Sequence, residues 1–264
     1  MITIRSSDEL ARLERASRVV LETLDVLEGA VQPGVTTEEL DEIAAEEIRR
    51  RGARPAFLGY RGYPKTICTS VNDEVVHGIP AKRSLKEGDI VGIDCGAVIE
   101  GYFGDAARTL PVGRIDPVRR KLLEATREAL AAGIAAARPG ARVSDIGAAV
   151  EAIGIANGYG VVREFVGHGV GTALHEEPQV PNYGPPGRGS TLQPGMVLAI
   201  EPMFNLGTGE VTVDRDGWTV RTRDRSASAH FEYTVAIETA GAVVLGIGRL
   251  GANAGSRETA AVPA

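Results

Sequence analysis

The sequence predicts an α/β fold made of two duplicated halves related by a pseudo-twofold axis, and three observations predict it. The phrase LKEGDIVGID, Leu85 to Asp94, returns 107 residues later as LQPGMVLAIE, Leu192 to Glu201, in the pattern Leu-x-x-Gly-x-(Ile/Val)-(Val/Leu)-x-Ile-(Asp/Glu). A Pro33-Gly34 break before a helical pattern returns as Pro139-Gly140, and Gly59 aligns with Gly167 at nearly the same offset. Each half then reads helix, Pro-Gly break, helix, strands, hairpin. Any one such turn is common, but several in order argue for duplication. Packing about a twofold would bring Asp94 and Glu201 together.

The elements follow in order. Ser6-x-x-Glu9 is a capping box that opens an amphipathic helix to about Gly29. Leu10, Leu13, Ala16, Val20, Leu24 and Leu27 share one face of it at three- and four-residue steps. Thr36-x-x-Glu39 caps a second helix that ends near Gly52. Residues 53–80 are broken by Gly and Pro, with short strands expected at Thr66–Ser70 and Glu74–His77. A hairpin over 90–110 turns near Glu100-Gly101. Asp116-Pro117 starts an Ala-rich helix to about Arg138, and Ser144 is expected to cap the next, to about Asn157-Gly158. Short strands fall within 161–180, and a loop rich in Pro and Gly follows over 181–195. Strands are expected at Ile200, Val211–Val213, Trp218–Thr222, Phe231–Ile237 and Val243–Gly246, with Asp216-Gly217 a hairpin turn. The tail 251–264 has no periodicity, and disorder is expected there.

At 264 residues the chain is long enough to bury a sizeable core, and 43% hydrophobic with 24% charged residues is ordinary for a globular protein. A net charge of -6 without a basic block excludes DNA as an expected partner. The Arg49-Arg50-Arg51 run sits at a helix C-terminus, where cations suit the dipole. Two cysteines, Cys68 and Cys95, build no disulfide framework. The N-terminal residues hold no apolar leader, and no stretch approaches about 18 continuous apolar residues. The expectation is a soluble cytoplasmic protein that does not engage membranes.

Four acids fall on the predicted hairpins: Asp94 and Asp105 in the first half, Glu201 and Glu232 in the second. A lone Asp beside a strand is ordinarily solvated or hydrogen-bonded. Here the repeat pairs Asp94 with Glu201, and four converging carboxylates cannot all stay ionised unaided. Two divalent cations would balance them, with His168 in Gly167-His168-Gly169 as the nitrogen ligand. Such a carboxylate-rich set suits Mn, Fe, Co or Zn. His77 and His175 flank turns beside these acids; most histidines so placed are structural, and an acid–base or oxyanion role is open to both. His230 is the fourth histidine.

The stretches VNDEVVHGIP, IDCGAVIEGYFGDAART, GHGVGTALHEEPQVPNY, LQPGMVLAIEPM and Phe231-Glu232-Tyr233-Thr234 together resemble type I methionine aminopeptidases, over about residues 5–247. The resemblance implies the pita-bread fold: pseudo-symmetric halves, here about 5–112 and 113–250, with a curved antiparallel sheet and helices on its outer face. It implies one catalytic domain over 1–250. It implies that Asp94, Asp105, His168, Glu201 and Glu232 bind two metals, with Asp105 and Glu232 bridging. A metal-bridging water or hydroxide would attack the carbonyl of an N-terminal methionine ahead of a small second residue, with Glu201 as general base. His175 would stabilise the oxyanion and His77 would contact the scissile amide. Tyr60, Tyr63, Cys68, Leu174 and Trp218 would line the methionine pocket, Cys68 as a small hydrophobe rather than a nucleophile. The implied partners are nascent-chain N-termini and short Met-peptides, with transient ribosome contact and a monomeric enzyme.

Three residues depart from the commonest family pattern: Leu174 stands where an aromatic is frequent, Phe57 where a small residue or Cys is, and Phe103 where His is. They bear on pocket shape and touch no ligand. Two rivals are an Xaa-Pro aminopeptidase on the same fold and a non-catalytic peptide-binding relative. The first ordinarily carries a sizeable N-terminal domain, and the second loses ligands that are all present here.

Overall fold

The computed structural model describes residues 1–247; the tail 251–264 lies outside them. Helix α1 (Ser7–Ala30) begins on the expected box, in which the Ser6 hydroxyl accepts from the Glu9 amide and the Glu9 carboxylate accepts from the Ser6 amide at 2.9 Å. Its stripe of Leu13, Ala16, Val20, Leu24 and Leu27 is buried. Helix α2 (Thr37–Arg50) repeats the device, with the Glu39 carboxylate accepting from the Thr36 amide at 2.7 Å. After it come β1 (Arg54–Pro55), a tight turn at Tyr60–Gly62, β2 (Ile67–Val71) and β3 (Glu74–Val76). The hairpin follows as β4 (Ile90–Ile99) and β5 (Tyr102–Pro111). Its turn residues Glu100 and Gly101 have φ of 51° and 82°, the two positive values that a two-residue hairpin turn requires.

In the second half, α3 (Pro117–Ala136) is capped by Asp116, which accepts from the Arg119 amide at 2.9 Å. Helix α4 (Val143–Asn157) starts earlier than expected, because Arg142 and not Ser144 is its N-cap. The Asp145 carboxylate accepts from the Arg142 amide at 2.7 Å, while the Ser144 hydroxyl is taken up by the Arg188 amide at 2.7 Å. Then come β6 (Gly160–Val161), β7 (Gly167–Gly169), β8 (Glu176–Val180), β9 (Val197–Ile200), β10 (Met203–Asn205), β11 (Val211–Val213), β12 (Val220–Thr222), β13 (Ser228–His230), β14 (Glu232–Glu238) and β15 (Gly241–Val244).

The main sheet runs β1-β4-β5-β14-β9-β7-β8, with β2 added on β4 and β15 on β14. Its pairings are antiparallel. Helix α1 packs on β4 and β5; α3 packs on α4 and against strands of the second half. The α1 backbone comes so close to β5 that a Cβ at Gly104 would lie 2.5 Å from the Ser17 amide nitrogen, so only glycine fits.

The duplication is visible bond by bond. The Gly34 amide donates to Leu85 and the Leu85 amide to Val35; in the other half Gly140 donates to Leu192 and Leu192 to Ala141. Gly88 and Gly195, at φ of 90° and 93°, turn the two Leu-x-x-Gly phrases, and their amides donate to Val112, just past β5, and to Ile237 in β14. The twofold therefore passes between β5 and β14. The Gly59–Gly167 match is different. Gly59 begins the Tyr60–Gly62 turn at φ 82°, whereas Gly167 lies in β7 between β8 and β9, so the halves part company there.

Candidate metal centre and substrate cavity

Strand register places the acids before any side-chain distance is considered. Directly paired residues of an antiparallel sheet share a face, and neighbours along a strand alternate. Asp94 pairs with Ala107, Ala107 pairs with Glu232, and Asp105 is two residues from Ala107. Glu201 follows Ile200, the partner of Tyr233, and so stands across from Glu232. All four carboxylates thus face one side of β4, β5, β14 and β9. Gly169 pairs with Leu198, which turns His168 to the same side.

The side chains converge there. Asp105, His168 and Glu232 each present a ligand atom, all within 4.8 Å of one another. His168 Nε2 lies 3.6 Å from Glu201 Oε1 and 3.9 Å from Asp105 Oδ2. Its Nδ1 is 2.9 Å from the Gly169 carbonyl, an acceptor, so Nδ1 carries the proton and Nε2 turns a lone pair on the carboxylates. Burial holds the ring neutral, with its pKa lowered to about 3. Oδ1 of Asp94, Oδ1 of Asp105 and Oε1 of Glu232 are buried without a hydrogen-bond partner among the described residues. Burial raises the pKa of all four acids, and the charges of neighbouring acids add to the shift at Asp105, Glu201 and Glu232. Lone pairs gathered this way are costly unless a cation lies between them. Oxygen and imidazole donors with orphaned atoms fit divalent metal ions.

The same face opens into a cavity of about 140 Å³. It is lined by the five candidate ligands and by Tyr60, Tyr63, Cys68, His77, Leu174, His175 and Trp218, so every candidate site residue reaches it. The Tyr63 hydroxyl lies 3.0 Å from both the Ile67 and Gly78 carbonyls, and its ring meets Trp218 edge-on at 5.0 Å. Cys68 pairs with Asp94 across β2 and β4. Burial first, then the Asp94 charge, pushes its thiol well up, so it serves as an apolar wall. His77, at φ 60°, sits edge-on to Phe165 at 5.5 Å and to Trp218 at 6.4 Å, and burial lowers its pKa to about 4. The His175 ring lies 4.1 Å from that of His168 and stacks on Tyr60, whose hydroxyl is 2.9 Å from His175 Nδ1. Burial lowers the His175 pKa, and the Arg61 cation lowers it further.

Phe57 also lines the cavity, seated over Gly96, where a Cβ would come within 2.5 Å of its ring. Phe103 packs behind the wall rather than on it. Two residues near the centre carried no motif of their own. His230 is buried with Nε2 unpartnered among the described residues, 3.7 Å from Glu201 Oε2. Its place two residues before Glu232 was the available signal. Arg61 stands at the mouth of the cavity, and sequence offered no signal for it.

Residues 11–239 match metallopeptidase family M24. A methionine aminopeptidase from Clostridium acetobutylicum is 49% identical over 246 residues, covering 93% of this chain and 98% of that protein. The crystal structure of methionine aminopeptidase from Rickettsia prowazekii superposes with a TM-score of 0.92 at 40% identity, over 94% of this chain and 100% of that one. A prolidase from Pyrococcus furiosus shares the pita-bread fold at a TM-score of 0.75 and 25% identity, but this chain spans only 65% of its length. The chain belongs to metallopeptidase family M24 and, within it, to the methionine aminopeptidases.

Proposed function

We propose that this metallo-aminopeptidase removes the N-terminal methionine from nascent proteins and short peptides with a small second residue. The observation that carries the reading is the cluster of orphaned carboxylate oxygens and the His168 lone pair on the floor of an apolar-walled cavity. Asp94, Asp105, His168, Glu201 and Glu232 would hold two divalent ions, from among Mn, Fe, Co and Zn. The chemistry supplied there is Lewis-acid polarisation of the scissile carbonyl and a lowered pKa for water.

The remaining work falls to this chain's own groups. Glu201 would take the proton of the attacking water and return it to the leaving amine. With the Tyr60 hydroxyl donating to Nδ1 of His175, the proton on Nε2 faces the cavity and can donate to the developing oxyanion. His77, kept neutral by burial, orients the scissile amide. Tyr63, Cys68, Leu174 and Trp218 enclose a thioether side chain and exclude water. The ligands come from both halves, which supports one catalytic domain over 1–250. Among the described residues no helix is long and apolar enough to cross a membrane, and we place the enzyme in the cytoplasm, as a monomer that meets its substrates near the ribosome.

The test is direct. Protein saturated with Mn or Co should bind up to two ions per chain and cleave Met-Ala-Ser far faster than Ala-Pro-Ala. Folded protein that binds none, or prefers the Pro peptide, would overturn the proposal.

A further inference from the structure

Arg61 is held out at the cavity mouth by a rigid turn. The Gly59 amide donates to the Tyr63 carbonyl at 2.8 Å, and the Tyr63 amide donates to the Tyr60 carbonyl at 2.9 Å, which closes a loop with Arg61 at its tip. Its backbone is left-handed, at φ 49° and ψ 24°, between Gly59 at 82° and Gly62 at 89°. A side chain there is disfavoured, and a glycine would sit more easily. The guanidinium lies over the Tyr60 ring, 5.4 Å from its centre, and makes no ion pair among the described residues. Four buried or half-buried arginines, by contrast, are committed: Arg5, Arg51, Arg108 and Arg221 each pair with at least two carboxylates. Arg61 is thus an uncommitted cation on a fixed platform.

Position decides what it meets. Of the residues lining the cavity, Arg61 and His175 are the exposed ones, while the floor and apolar walls are buried or half-buried. A peptide whose first side chain fills the walls must leave past that rim. An extended residue advances about 3.3–3.6 Å, so the third residue's carboxylate would stand about 7 Å beyond the scissile bond. Arg61 stands on that exit path, at the exposed end of the lining.

We propose that Arg61 is a specificity-determining residue that favours a carboxylate on the leaving part of the peptide, either the C-terminus of a tripeptide or an acidic third side chain. The proposal rests on the reading of the cavity as an aminopeptidase site. A guanidinium fork pairs with a carboxylate in two parallel bonds, and the Tyr60 ring lies beneath the Arg61 guanidinium. Because the rim is wet, the effect is modest and screened by salt.

The experiment uses metal-saturated enzyme and two isosteric pairs: Met-Ala-Ser against its C-terminal amide, and Met-Ala-Asp-amide against Met-Ala-Asn-amide. In the native enzyme the carboxylate member should lead by about two- to fivefold in kcat/KM, mainly through KM, and the lead should shrink in high salt. Arg61→Gln should bring both ratios toward one, Arg61→Glu should invert them, and Arg61→Lys should restore part of the preference. A merely structural role would lower all four peptides together. Ratios unchanged in Arg61→Glu, or a native enzyme indifferent to the carboxylate, overturn the role of Arg61. Release of methionine from none of the four by the native enzyme overturns the reading of the cavity instead.

Discussion

The loop that carries Leu174 and His175 is tethered by a partly buried ion pair, and its loss should be measurable in both stability and turnover. Arg5 lies against Gly171 and pairs with Glu176; the two side chains are 5% and 16% exposed. Glu176 Oε1 accepts from the Thr172 amide at 2.9 Å and the Ala173 amide at 3.1 Å, so a single carboxylate ties the N-terminal segment to the turn just before His175. The Arg5 amide in turn donates to the Gly195 carbonyl at 2.8 Å. Glu176→Ala leaves a buried guanidinium and two unmet amides. Removing one partner of a buried pair costs about 3–5 kcal/mol. Arg5 keeps Glu9 at 3.3 Å and the loop amides can reach water, so about 2–3 kcal/mol is the expected loss here. For a chain of this size that lowers Tm by about 4–12 °C. Glu176→Gln retains an acceptor for the turn and should cost about half as much. Scanning calorimetry checks the shift, and kinetics on Met-Ala-Ser should show a fall in kcat at 25 °C, where either variant is still folded. A Tm within 1 °C of native for Glu176→Ala, a bound set well inside that ~4 °C minimum, would refute the clamp.

Three further outcomes are expected. Glu201→Gln should lower kcat by about 10²–10⁴-fold, the range for a lost general base, with the far-UV spectrum retained; near-native turnover would remove it from that role. His77 stays neutral in the fold down to about pH 4, whereas the unfolded chain protonates near 6.5. Its contribution to stability is therefore complete above about pH 6.5 and is lost as pH falls toward 4, at up to ~1.4 kcal/mol per unit. His77→Asn should remove about one proton's share of that slope in urea titrations of metal-free protein, His168 keeping its own, and an unchanged slope would count against it. Gly104→Ala must push α1 off β5, since its Cβ would meet the Ser17 amide nitrogen at 2.5 Å; a cost of about 1–3 kcal/mol is expected from denaturation midpoints.

What was legible in the sequence was what local chemistry or repetition writes there. Caps Ser6, Thr36 and Asp116 bind amides three residues away, so their partners are visible in the string. Arg142 escaped because its helix is capped from inside by Asp145, and Ser144, a good cap by composition, had already been claimed by Arg188 across the loop. Asp94 and Glu201 were legible because a 107-residue repeat pairs them, and Asp105 and Glu232 because they fall on the predicted hairpins; that all four share one face is set by the strand register. His230, Arg61 and the Arg5–Glu176 tether were not, and for a shared reason. Each acts across a long loop closure or at a rim, where the partner is set by how the sheet curls rather than by spacing. The Gly59–Gly167 mismatch marks the same boundary. Where the halves still obey the twofold they place Asp94 and Glu201, the two candidate ligands that the repeat itself exposes. Where they have diverged they build the substrate side, and there Tyr60, Arg61 and His175 take their meaning from contacts that no internal repeat constrains.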